Sequence, residues 1–300
     1  MRVTSAAKQQ QWKATDSCQN TLASSITFQG IGTHSAQTIT MTVHPAAADS
    51  GIVFARTDID GTPVIPARWD FVSDTNLCTK ISNAEGASVS TIEHLMAALY
   101  ACEIDNAYIA IDGAEVPIMD GSSQVFIEPM LKIGRTRLDA PRRTIQILKP
   151  IIVRDSADRW VSISPHADFF MDCEHHFAGR ANFPTERFTG LMTPEVFLKD
   201  IAAARTFGFA EDVVKLRSMG LAQGSSLDNA IGIQDGKIMN PEGLRFEDEF
   251  VRHKILDAIG DLYTAGARIQ GSIRGTRTGH SMMNQLLRAL FSNPSNWRYL

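Results

Sequence analysis

Ser90-Thr-Ile-Glu-His-Leu-Met-Ala-Ala-Leu-Tyr100 marks a change of period in the chain. Ile92, Leu95, Met96 and Leu99 recur at three- and four-residue steps, the spacing of one helix face. With Ser90 or Thr91 as N-cap, the helix starts just before Glu93 and His94. The stretch ahead of it has the other period. In Gln37-Thr-Ile-Thr-Met-Thr-Val43, Ile39, Met41 and Val43 face one side and threonines the other, a half-buried strand that Pro45 stops by removing a backbone donor. Gly30-Ile-Gly-Thr-His34 precedes it as a glycine-bearing turn, and the first ordered element is expected near Ile26. After the helix, Ala107-Tyr-Ile-Ala-Ile111 returns to a short β-rich run.

Glu247 to Thr264 repeats the arrangement further along. Phe250, Ile255, Leu256, Ile259 and Leu262 form the apolar side of the strongest helix pattern in the chain, Gly266 ends it, and a strand containing Ile269 follows. Pro150-Ile-Ile-Val153, Trp160-Val-Ser-Ile-Ser164 and the run from Phe169 to Met171 supply strands ahead of it. Each half therefore runs strands, a helix with a histidine in its early turns, then a strand. That order predicts an α+β fold of two similar units, whose histidines can meet in a metal site at their junction. Pro141-Arg-Arg143, after an amphipathic stretch ending near Leu138, is the expected linker. The expected organisation is a polar extension over 1–25, an N-terminal α+β domain over 26–140 and a C-terminal α+β domain over 144–300. Thr193-Pro-Glu opens a helix with proline in its first turn. An insert at about 209–239 follows, a helix from Ala210 to Met219 closed by Gly220 and a hairpin around Asp235-Gly236.

The 300 residues are 44% hydrophobic and 21% charged, an ordinary globular balance with enough chain for two cores. A formal net charge of -4 with scattered Lys and Arg gives no global basic field, so no nucleic-acid partner is expected. Cys18, Cys78, Cys102 and Cys173 form no C-x-x-C pair and no disulfide spacing, which fits a reducing compartment and a cytoplasmic protein. No stretch approaches a membrane span, and Met1 to Gln19 lacks the apolar run of a signal peptide. Membrane contact is expected to be peripheral at most, and the protein is expected to be a monomer.

In Val251-Arg-His-Lys-Ile-Leu-Asp-Ala-Ile-Gly-Asp261, His253, Asp257 and Asp261 stand four residues apart and form one helical stripe. Imidazole and carboxylate one turn apart can chelate a zinc ion, and a plain surface i,i+4 pair shows the same spacing. Glu93-His94 places a carboxylate where it can take a proton from water beside a metal-binding histidine. It is not an H-E-x-x-H signature, because Ile92 and Met96 occupy the flanking positions, and a core or capping histidine reads the same way. Gly279-His280 sits where a helix begins at Met282, so its imidazole can serve an oxyanion or a leaving amine if a carboxylate such as Asp261 holds it protonated. An exposed loop histidine would look no different.

Together these fragments stand in longer blocks. They are Ser90-Thr-Ile-Glu-His-Leu-Met-Ala-Ala-Leu99, Ile104-Asp-Asn106, Glu115-Val-Pro-Ile-Met-Asp-Gly-Ser122, Ala204-Arg-Thr-Phe-Gly-Phe209, Gly243-Leu-Arg-Phe-Glu-Asp-Glu-Phe-Val-Arg-His-Lys254 and Gly279-His280. From about Ile26 to the C-terminus, in order and spacing, the chain resembles the UDP-3-O-acyl-N-acetylglucosamine deacetylases of lipid A biosynthesis. The resemblance implies two β-sheets layered against helices as a β-α-α-β sandwich, with zinc at the domain junction. It implies His94, His253 and Asp257 as zinc ligands, Glu93 as general base, His280 as general acid or oxyanion partner, and Asp261 as the group orienting His280. Thr206 matches a position whose hydroxyl helps stabilise the tetrahedral intermediate, and Lys254 one that contacts the diphosphate or charged intermediate. Phe207, Val213, Leu216, Met219 and Leu221 match an apolar acyl passage, and Phe177 an aromatic near the uracil. The implied reaction is hydrolysis of the acetamide at C2 of UDP-linked, acylated N-acetylglucosamine, releasing acetate.

The chain departs from the family pattern in places. Thr33 stands where leucine is usual, and His175-His-Phe-Ala-Gly179 matches only in part, which leaves the nucleotide contacts open. Two other functions share these residues: a zinc amidohydrolase acting on another acylated amino sugar, and a catalytically silent UDP-sugar or acyl-chain binding protein. Ferrous iron suits the same His-His-Asp set as zinc.

Overall fold

The computed structural model describes residues 17–156, 158–179 and 183–300, so residues 1–16 of the expected extension lie outside it. Two mixed sheets carry the fold. The first runs, in spatial order, Ile26–Ile31, Thr38–Pro45, Ala107–Ile111, Ile52–Arg56 and Val64–Pro66. The second runs Ile151–Ser156, Arg159–Ser164, Arg268–Thr276, Thr144–Ile147 and Trp297–Tyr299, with Phe169–His175 and Glu186–Leu191 joined through the long strand Arg268–Thr276. The two share a wiring. In each, the strand after the histidine helix sits inside the sheet, antiparallel to one neighbour and parallel to another.

Six helices occur among the described residues: α1 (Glu93–Ala101), α2 (Gln124–Ile133), the single turn α3 (Pro194–Val196), α4 (Ala210–Ser218), α5 (Glu249–Tyr263) and α6 (His280–Phe291). α5 packs on Phe169–His175 and Glu186–Leu191, α6 on Ile151–Ser156 and Arg159–Ser164, and α1 packs along α5 between the layers. One core runs from Met41, Val43 and Ile109 through Leu95, Leu99, Leu256 and Ile259 to Val161, Ile163 and Ile273. This is the α+β layering the element order predicts. No described helix is long and apolar enough to cross a membrane.

α1 departs from the one-sided helix its spacing suggests, because all nine of its residues are buried. It is covered by the rest of the core on one side and by α5 on the other, so even Ala97, Ala98 and Ala101 lack solvent. Neither Ser90 nor Thr91 caps it. Ser90 is tied instead to the loop after Ile111, its N–H donating to the Ala114 carbonyl and its carbonyl accepting from Val116 N–H. Thr91 takes φ 58°, a left-handed conformation that costs a β-branched residue about 1–3 kcal/mol, two residues before Glu93.

Order begins earlier than Ile26. Cys18–Leu22 is a strand pairing antiparallel with Arg135–Pro141, and Leu22 is 1% exposed. The amphipathic stretch expected to end near Leu138 is therefore α2 followed by the second strand of this ribbon, whose residues are half-buried or exposed. Arg142 lies in the expected linker Pro141-Arg-Arg143. Its guanidinium is buried and donates to Glu103 and Asp105.

The insert forms as its turn residues require. Phe207–Phe209 pairs in parallel with Ile231–Gln234, which turns through Asp235 (φ 50°) and Gly236 (φ 73°) into Lys237–Ile238, with α4 between. Both turn residues being left-handed makes this a twist-matched two-residue hairpin. Thr193 caps α3, its Oγ1 accepting from Val196 N–H at 3.2 Å.

Candidate active site

The contact between α1 and α5 brings together the two separated sequence fragments. Gly260 makes it close: a Cβ there would lie 1.9 Å from the Glu93 carbonyl oxygen. Glycine inside a helix ordinarily costs about 1 kcal/mol relative to alanine, and here it allows two backbones to touch.

At this contact Asp257 Oδ1 lies 3.4 Å from His94 Nε2 and 3.3 Å from His253 Nε2. The two rings meet edge to face, 5.0 Å between centroids. All three residues are buried, at 4%, 1% and 4% exposed for His94, His253 and Asp257. His253 Nδ1 is 3.1 Å from the Ala204 carbonyl, so the ring's N–H is committed there and Nε2 keeps its lone pair for a ligand. Burial lowers the His253 pKa to about 3, which keeps the imidazole neutral as metal ligation needs. Burial opposes the charge on Asp257, but the positive charge beside it, carried by the Lys254 ammonium, holds the carboxyl well below its ordinary range. Lys254 Nζ donates to Asp257 Oδ2 at 2.8 Å, while Asp257 Oδ1 is buried with no hydrogen bond. An ionised carboxylate oxygen without a donor, set between two imidazole nitrogens, is a donor set suited to a cation.

Beside it lies a second trio, Glu93, Asp261 and His280. His280 Nδ1 is 2.9 Å from Asp261 Oδ2, and its Nε2 is 3.9 Å from Glu93 Oε1. Burial disfavours the imidazolium, yet Asp261 and then Glu93 outweigh that and raise its pKa to about 9. Burial raises the pKa of Glu93, which makes it a stronger base than a solvated carboxylate. Both carboxylates are steadied by Thr79, whose N–H donates to Glu93 Oε2 and whose hydroxyl donates to Asp261 Oδ1. This trio is hydrogen-bonded within itself and to Thr79, whereas the first set points its ligand atoms at one another. The first therefore suits a metal and the second proton transfer.

A cleft opens over Glu93 and His94 and is also lined by Thr206, Phe207, Val213 and Leu216. The Lys254 ammonium lies 5.3 Å from the Phe207 ring centroid. Met219, expected in the same apolar lining, is 61% exposed, and neither it nor Leu221 lines the cleft. α4 turns only Val213 and Leu216 toward it. Thr33 does line it, so the polar replacement reaches the apolar region. Phe177 sits elsewhere, in a small core with Phe183, Phe207, Phe209 and Phe250, and touches the cleft only through Phe207. His175 is packed against Phe177 and Phe207, and burial lowers its pKa to about 3.

Several residues that hold the site are not visible as chemistry in the sequence. Arg205 donates to Glu249 at 2.9 Å and to Glu242 at 2.6 Å, with Arg205 and Glu249 both buried. The Arg245 N–H donates to the same Glu249 carboxylate, and its guanidinium to Asp120. These bonds fasten the segments around Ala204, Gly243 and Asp120 to the start of α5, and so press the Ala204 carbonyl against His253. Removing one member of such a buried pair costs about 3–5 kcal/mol. Glu115 accepts from His34 N–H, Ser35 N–H and Ser35 Oγ, holding the glycine turn beside the cleft. Charged residues in unbroken short blocks were the available signal, but their pairing was not.

A family model described as UDP-3-O-acyl N-acetylglycosamine deacetylase matches residues 19–292. The Idiomarina loihiensis protein named UDP-3-O-acyl-N-acetylglucosamine deacetylase is 43% identical over 283 residues, covering 94% of this chain and 92% of its own. Proteins of the same name from Pasteurella multocida and Vibrio cholerae are 43% identical over 286 residues and 44% over 282, with the same coverage. A match over nearly the whole length, on a chain that gathers two histidines, an aspartate and a carboxylate-backed histidine at one buried helix contact, places it: this chain belongs to the UDP-3-O-acyl-N-acetylglucosamine deacetylase family.

Proposed function

We propose that this chain hydrolyses UDP-3-O-acyl-N-acetylglucosamine to UDP-3-O-acyl-glucosamine and acetate, with zinc held by His94, His253 and Asp257. The observation that carries the reading is Asp257 Oδ1, buried and unbonded at 3.4 and 3.3 Å from two imidazole Nε2 atoms. When bound, zinc held by these residues would supply Lewis acidity at this point.

Glu93 takes the proton of the attacking water, its basicity raised by burial. His280, held cationic by Asp261, stabilises the oxygen on which negative charge develops and gives its proton to the departing amine. The Thr206 hydroxyl, on the cleft wall, supports the same oxygen. Lys254, anchored on Asp257, faces the diphosphate. Phe207 and Leu216 line the acyl chain's path, and Phe177 reaches the nucleotide side through its contact with Phe207. The two sheets belong to two domains, 26–140 and 144–300, joined by Pro141-Arg-Arg143, and the site lies at their junction. The protein acts as a monomer. The four cysteines, none of them in a disulfide, fit a reducing, cytoplasmic setting.

The decisive experiment is a deacetylation assay with the metal stripped and restored. Activity is expected to vanish in the stripped protein and return with about one zinc per chain; full turnover without metal overturns the mechanism. A second outcome concerns pH. His280 must be protonated to act, so activity falls as pH rises through its pKa. Asp261→Asn removes the largest favourable charge on the imidazolium. The alkaline limb of the kcat profile is expected to move down by roughly 1 to 3 pH units, and an unmoved limb excludes His280 as the acid.

A further inference from the structure

Arg268 is the first residue of the strand after α5, at the end of the α1–α5 pair remote from His94 and His253. It is 8% exposed. Its guanidinium carbon lies 4.2 Å from the Tyr100 ring centroid, and Nη2 donates to the Tyr100 carbonyl in the last turn of α1. Nε is buried with no acceptor. The nearby carboxylates are already engaged: Glu103 with Arg135 and Arg142, Asp105 with Arg142. Among the described residues this leaves Arg268 as a buried cation without a carboxylate, a costly state that an anion would relieve.

Arg268 also forms part of the wall of a cleft of about 600 Å³, the size of a small-ligand site. Tyr100, Phe169, Met192 and Ile269 give it an apolar wall, and Asp168, Glu195 and the Arg142-paired Glu103 stand among its lining. One unpaired cation calls for one negative charge, and these three acidic residues disfavour a second. The planar guanidinium fork matches a carboxylate. We propose that this cleft binds a monocarboxylate with an apolar tail, its headgroup on Arg268 and its tail along Phe169, Met192 and Ile269. The site is separate from the cleft over Glu93, and its occupant would bridge the C-terminal end of α1 and the second sheet.

The test is methyl NMR on the zinc-loaded full chain, titrated with octanoate, octanol, octyl phosphate and acetate. The methyls of Met192 and Ile269 report this cleft, and that of Ile118 reports the catalytic cleft. Octanoate is expected to shift Met192 and Ile269 saturably, and at least tenfold more tightly than the other three. Arg268→Met is expected to weaken it by tenfold or more. Arg268 also holds the end of α1, so Leu191→Glu serves as a second variant: Leu191 lies in the cleft lining, is 42% exposed and would add a like charge there. Shifts confined to Ile118, octanol or octyl phosphate binding as well as octanoate, or unchanged affinity in either folded variant overturns the proposal.

Discussion

Glu93→Ala is expected to lower kcat for deacetylation by about 10²- to 10⁴-fold while the protein keeps about one zinc per chain. The expectation follows from position. Glu93 adjoins His94, a proposed ligand, but stands outside the candidate His94, His253 and Asp257 set, so its removal leaves those three groups in place. Its carboxylate is buried, accepts from Thr79 N–H at 3.0 Å, and faces His280 Nε2 at 3.9 Å. It has a fixed orientation and a pKa raised by burial, the two properties a general base needs. Initial rates with saturating substrate, alongside metal analysis of the same sample, make the check. Normal turnover with metal retained removes Glu93 from the role of base, and lost metal assigns it to holding the site instead.

Gly260→Ala is expected to cost about 1–3 kcal/mol of stability or more, and most of the activity, although residue 260 carries no chemistry. The added Cβ would lie 1.9 Å from the Glu93 carbonyl oxygen and 2.7 Å from its carbonyl carbon. Backbone cannot yield as a side chain can, so α1 must move away from α5. That movement separates His94 from Asp257 and Glu93 from His280, the pairs on which both metal binding and proton transfer depend. Thermal unfolding, zinc affinity and kcat are expected to fall together. A variant of wild-type stability and activity would show that the two helices approach less closely than the structure has them.

Much of the site was legible before any coordinate. The stripe His253, Asp257, Asp261 is a consequence of helical period, and α5 places the three as spacing predicts. His280 was the ambiguous case. It begins α6 rather than floating in a loop, and Asp261 makes it a half-buried cation where an exposed histidine was equally readable. Met219 and Leu221 show the limit of transferring roles along a sequence. α4 has only a short face over the cleft, so two neighbouring apolar residues miss it. Thr79, Arg205 and Glu249 were passed over because a threonine or an ion pair has no periodic signature; their meaning lies in partners far along the chain.

By itself the sequence determined the alternation of periods, the two histidine helices, the turn at Asp235-Gly236 and the helical stripe of His253, Asp257 and Asp261. These are local properties, set by backbone sterics, side-chain type and spacing within a few residues. Only the tertiary structure decided that one Asp257 oxygen stands between two imidazoles, that Thr79 steadies both carboxylates, that Cys18–Leu22 is a strand, and that Arg268 has no carboxylate partner among the described residues. Those facts depend on how elements distant in sequence cross and pack. Here the crossing is set by a glycine whose missing side chain lets two helix backbones meet.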